Sequence, residues 1–178
     1  MRRMISVICL AALFAIPAVA EWRVDAGVVV PRGFGTSIGG ETMTSDAETL
    51  MNWPFIPIPD AGIYYVGNAG PVRLGIGARA FTALVETVIW PNALVELDVG
   101  PVVIEAQVGG GLFAMLGVLG TQVQTGKVFI PDVSAWFKLG KNKRFRLGGG
   151  LIGAYMPDLL GDGLPFLIYL GAKVAVPL

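Results

Sequence analysis

Taken two residues at a time, long parts of this chain sort into an oily row and a polar row. In VRLGIGARAFT, Val72, Leu74, Ile76, Ala78 and Ala80 share one side, and Arg73, Gly75, Gly77 and Arg79 share the other. In RFRLGGGLIGAY, Phe145, Leu147, Leu151 and Tyr155 alternate with Arg144, Arg146 and glycines. FLIYLGAKVAVPL sets Phe166, Ile168, Leu170, Ala172, Val174, Val176 and Leu178 against Tyr169, Gly171 and Lys173. Period two is the mark of a strand whose two faces meet different surroundings.

The stretch LVELDVGPVVIEAQVGG extends the pattern to a hairpin. A two-residue turn at Gly100-Pro101, glycine first, suits antiparallel strands. It sets Val99 against Val102, Leu97 against Ile104 and Val95 against Ala106 on one side. Glu96 then stands opposite Glu105, with Asp98 beside them, on the other. A slip of one residue would move every one of these side chains to the wrong face.

Eight strands follow: Trp22–Pro31, Phe55–Val66, Val72–Phe81, Ala93–Val99, Val102–Gly111, Val128–Leu139, Arg144–Tyr155 and Pro165–Pro177. Their connections alternate, short at 67–71, 100–101 and 140–144 and long at 32–54, 82–92, 112–127 and 156–164. An even strand number with short turns at one end and long loops at the other is the plan of a transmembrane β-barrel. A lipocalin-type secreted barrel would be polar outside and oily inside; here the charge-bearing alternation fits the reverse. The expected fold is all-β, an eight-stranded antiparallel transmembrane barrel.

Composition sharpens this. The 178 residues are 54% hydrophobic before 25 glycines are added, and only 15% are charged, against about 25% in an ordinary globular domain. Part of the excess is N-terminal: MRRMISVICLAALFAIPAVA runs from Arg2 and Arg3 through an apolar core to Ala18-Val19-Ala20. That order predicts a signal peptide over 1–20 and one domain over 21–178. The apolar run is short of the ~20 residues of a spanning helix. Cys9 lies inside it, with too little apolar chain ahead for a lipoprotein signal. No later segment is apolar enough for a membrane helix, since glycines and glutamines break even 106–126.

Without Arg2 and Arg3, eleven cations face thirteen carboxylates, so no nucleic-acid footprint is present. The mature segment has no histidine and no cysteine, which removes imidazole and thiolate chemistry, both catalytic and metal-binding. No enzyme activity, metal or cofactor is expected. Gly148-x-Gly150-x-x-Gly153 matches a dinucleotide fingerprint in letters only, because Met156-Pro157 follows where a helix is needed. Asp158 and Asp162 are too loosely spaced for a calcium loop.

Glu96 and Glu105 could form an acid–base dyad. The more economical reading is an ion-pair lattice filling the lumen, built from Glu96, Asp98 and Glu105 with Arg73, Arg79, Arg144 and Arg146. Two carboxylates facing each other across a strand pair require a guanidinium nearby or a proton held on one of them. Arg73 and Arg79, on the neighbouring strand, are the first candidates.

The long connections are oily where loops are normally polar: LMNWPFIPIP at 50–59, Leu84 to Trp90, LFAMLGVLG at 112–120, and Met156 to Leu164. Either the strands extend farther and these side chains meet lipid, or they form an external funnel that collects apolar molecules.

The signal segment, eight alternating strands, four long loops and an apolar external half together resemble the small outer-membrane barrels of the OmpW, OmpX and OmpA class, OmpW most closely. The resemblance covers the mature chain by pattern and carries no diagnostic motif. It implies passage of small hydrophobic solutes through an oily upper lumen with a lateral exit, lined here by Trp53, Phe55, Trp90, Leu112, Phe113, Met115 and Leu116. It also implies an outer-membrane location, contact with membrane lipid and insertion by the barrel-assembly machinery. One departure stands out: such barrels usually end on an aromatic residue, and this chain ends Pro177-Leu178. The competing functional class is a structural or adhesive surface barrel whose loops contact a host ligand.

Overall fold

The computed structural model describes residues 20–38, 41–44, 55–83, 85–118, 120–155, 157 and 163–178. Residues 1–19 of the expected signal peptide, and Trp53, lie outside the described residues. The described residues form nine strands in order: β1 (Ala20–Ile38), β2 (Glu41–Thr44), β3 (Ile58–Ala69), β4 (Val72–Ala83), β5 (Glu86–Val99), β6 (Val102–Gly117), β7 (Gln122–Leu139), β8 (Phe145–Gly153) and β9 (Leu164–Pro177).

Each of β3 to β8 pairs antiparallel with the strand that follows it, and β1 pairs with β3 on one side and β9 on the other. The eight strands other than β2 therefore close into a cylinder. The short β2 folds back on the far end of β1, from Gly35↔Thr44 to Ile38↔Glu41. Closure matters because an unpaired strand edge leaves backbone groups without partners wherever water is absent.

The β5–β6 hairpin turns at Gly100-Pro101, and Gly100 takes a φ of 61° that a side chain would disfavour. Val99 pairs with Val102, Leu97 with Ile104, Val95 with Ala106 and Glu96 with Glu105. This is the register the alternation requires.

Two of the expected long connections are short. β4 ends at Ala83 and β5 starts at Glu86, while β6 runs to Gly117 and β7 starts at Gln122. Thr87, Val88 and Ile89 are β-branched and suit a ladder, and the Thr82 and Thr87 hydroxyls meet at 3.1 Å across it. The oily residues there extend the wall. The β5–β6 register shifts between Ile89 and Asn92, beside Pro91, which has no N–H to donate. A second shift on the β6–β7 side lies between Gly110 and Leu112.

Burial follows the two rows. Inward-pointing Glu105 and Asp132 are almost wholly enclosed, whereas outward-pointing Leu147, Leu170 and Phe137 are 51%, 55% and 59% exposed. Ile76, Val95, Ile104, Val133 and Val174 join them on the outside. Water-soluble monomers rarely expose a contiguous apolar patch beyond a few hundred Å². A belt of this kind is matched by hydrocarbon.

Candidate functional site

The lumen is layered. At the short-turn end, Lys138 Nζ lies 2.6 and 2.8 Å from the two Asp98 oxygens. Arg73 spans from Asp98 at 3.3 Å to Glu96 at 3.4 Å. Deeper in, Arg23 Nη1 donates to Glu96 Oε2 at 2.6 Å, and its Nη2 to Asp25 at 2.9 Å. Arg146 Nη1 donates both to Glu96 Oε1, at 2.5 Å, and to Glu105. Lys173 Nζ reaches Glu105 Oε2 at 2.5 Å. This lower network joins five cations (Arg23, Arg73, Lys138, Arg146, Lys173) to four carboxylates (Asp25, Glu96, Asp98, Glu105).

A neutral belt follows. Tyr64 Oη and Asn92 Nδ2 donate to Gln107 Oε1 at 3.1 and 2.6 Å, and Gln107 Nε2 donates down to Glu105. Above it, Arg79 grips Asp60 through Nε and Nη2, each at 3.0 Å, and donates Nη1 to Asp132 at 2.5 Å. Tyr169 Oη donates to Asp132 at 2.8 Å. Buried charges need this density of partners, since each one removed from water costs several kcal/mol unless paired and hydrogen-bonded.

Beyond Arg79 the inward row changes character. Its guanidinium lies 4.6 Å from the centre of the Phe81 ring, and Phe81 meets Trp90 edge-on at 5.3 Å. Phe34, Phe81, Val88, Trp90, Ile130 and Leu167 line an apolar chamber of about 520 Å³ at the loop end. An eight-stranded barrel has room for its own side chains or one small ligand. Here paired charged side chains fill the middle of the lumen, and the loop-end part holds the chamber.

Of the residues singled out in the sequence for the lattice, Glu96, Asp98, Glu105, Arg73 and Arg146 come together in the lower network. Arg144 does not; it is exposed on the β7–β8 turn. Arg79 touches neither Glu96 nor Asp98. Arg73 pairs with Glu96 in the ladder, and Arg79 is six residues farther along β4, opposite Trp90, about 20 Å away at strand rise. Besides Arg73 on β4, the cations that neutralise the dyad come from β1, β8 and β9.

The expected funnel divides between the two faces. Trp90 is buried and lines the chamber. Phe113 approaches the Trp90 ring at 6.5 Å, and Met115 shares the chamber face through its pairing with Val88. Leu112 and Leu116 are exposed, and Leu116 pairs with Thr87 on the outer face. Phe55 is 70% exposed, with Arg32 over its ring at 5.9 Å. Arg23, Asp25, Asp60, Asp132 and Lys138 were readable by the same parity, in WRVDAGV, PDAGIYY and PDVSAWFKL, had the alternation been carried through those strands.

No protein-family model matches the chain, and no curated protein matches it in sequence. Among solved structures it is similar to Neisserial surface protein A, at 12% identity and TM-score 0.48, over 88% of this chain and 98% of that one. It is similar to Ail, the attachment invasion locus protein of Yersinia pestis, at 9% identity and TM-score 0.43, over 88% and 99%. The N-terminal β-barrel domain of Pseudomonas aeruginosa OprF gives 14% identity and TM-score 0.41, over 89% and 100%.

Proposed function

We propose that this protein is an integral outer-membrane barrel that takes up small hydrophobic molecules into its loop-end chamber and catalyses no reaction. The apolar chamber carries the proposal. Phe81, Val88, Trp90, Ile130 and Leu167 offer an incoming molecule oily walls, whereas the interior below them is charged. Burying apolar surface there is favourable by about 25 cal/mol per Å². The ion-pair layer stops water and ions from following, so the barrel is a selective pocket in place of an aqueous pore. Membrane lipid surrounds the belt, and the barrel-assembly machinery inserts the chain.

Proteoliposomes test this with a fluorescent long-chain alcohol. Uptake above protein-free vesicles, insensitive to salt, is expected. Leu167→Trp, which narrows the chamber, should lower it while leaving the folded band on unboiled gels unchanged. Equal uptake by the narrowed and unaltered barrels would overturn the proposal.

The second class, a non-transporting adhesive barrel, draws on the β6–β7 hairpin end, where Val118 and Val123 are 77% and 66% exposed. Binding to cells or matrix that is lost on shortening this hairpin, with no alcohol uptake, would favour it.

A further inference from the structure

A second cavity opens at the opposite, short-turn end of the barrel. It has a volume of about 650 Å³ and a mainly basic wall: Arg23, Arg73, Lys138 and Arg146 from the strands, with Lys143 and Arg144 from the β7–β8 turn. The carboxylates on that wall are Glu21 and Asp98. The lower network already holds five cations against four carboxylates. Lys143 and Arg144 add two more against Glu21 alone, so the mouth keeps a cationic surplus.

Two details mark a site. Arg146 is only 3% exposed, forms part of this wall, and has its Nε buried with no hydrogen-bond partner. A buried donor left unmatched is unfavourable, and an acceptor that drew the guanidinium toward the vestibule would relieve it. The second detail is in the turn. Lys143 is the non-glycine residue with a left-handed backbone, at φ 53°, among the described residues, a conformation unusual outside glycine, asparagine and aspartate. It belongs to the tight turn that sets Lys143 and Arg144 on the vestibule rim.

We infer that this vestibule binds a phosphate-type oxyanion, free or as a soluble phosphomonoester. Guanidinium forks match the oxygens of such a group and lysine adds point charge. The low-dielectric barrel wall strengthens the attraction relative to open water. The site is separate from the apolar chamber and does not depend on its role.

The test is calorimetric titration of inorganic phosphate, then glycerol phosphate, into the mature barrel folded in nonionic micelles at low ionic strength. Saturable binding of phosphate is expected, and saturation by glycerol phosphate as well would show that the ester is accepted. Lys143→Gly with Arg144→Ala removes two exposed charges outside the buried network and suits the left-handed backbone. It should weaken binding about tenfold or more. Lys127→Ala, on β7 far from this mouth, should leave affinity unchanged. Absence of saturation, equal affinity in the double variant, or equal heats from chloride at matched ionic strength would each overturn the inference.

Discussion

Glu96 and Glu105 stand directly opposite each other across the β5–β6 ladder, and one nitrogen of Arg146 donates to both. Two buried carboxylates in that relation repel strongly, and the shared guanidinium turns the repulsion into a clamp. Arg146→Ala should therefore destabilise the barrel by about 3–5 kcal/mol, the cost of leaving buried charge uncompensated. Urea unfolding in lipid vesicles measures it. A loss below about 1 kcal/mol would mean that Arg23, Arg73 and Lys173 suffice to neutralise the pair.

Arg79 is the sole cation bonded to Asp60 and Asp132 among the described residues. Arg79→Ala should lower stability more than Glu96→Gln, which removes an acid and keeps its shape. Heat resistance of the folded band on unboiled gels ranks the two variants, and similar resistance would contradict the expectation.

Leu147 points outward from β8 and is 51% exposed. In hydrocarbon, Leu147→Arg should cost about 2–4 kcal/mol near the midplane. On a water-facing wall the same change would stay within about 0.5 kcal/mol. Unfolding in vesicles separates these outcomes, so this single substitution tests the membrane-facing assignment.

A Cβ on Gly109 would collide with the Trp90 indole and crowd Asn92 Oδ1 at 2.7 Å. Gly109→Ala should move the indole and cost about 1–3 kcal/mol through overpacking. A shift in Trp90 emission, read in a variant retaining only that tryptophan, would report the displacement.

The fold was legible because lumen and exterior differ in polarity along most of each strand. That contrast set the β5–β6 register from Gly100-Pro101 outward and separated Arg73 from Leu74. It fails where both faces become oily. Through Val88, Ile89 and Trp90 the alternation carries no polar row, so a continuing strand looks like an apolar loop, and Pro91 adds to the impression. The lattice was legible in kind more than in detail. Parity places Arg79 in the lumen, but which acid it meets depends on how the strands are staggered around the cylinder. Asp132, on β7, lies 53 residues away. Arg144 misled for a different reason: it continues the alternation of β8 in letters, but β8 begins one residue later at Phe145.

The seam between β1 and β9 couples Arg23 to Pro177 and Ser37 to Leu164. The earliest strand thus waits for the last one to be made before its second edge is satisfied. Contacts of such long sequence separation form slowly, and until then the growing sheet exposes two sticky borders. A chain cut short before Leu164 would have no means of sealing itself, so biogenesis of this protein is all-or-nothing at its C-terminus.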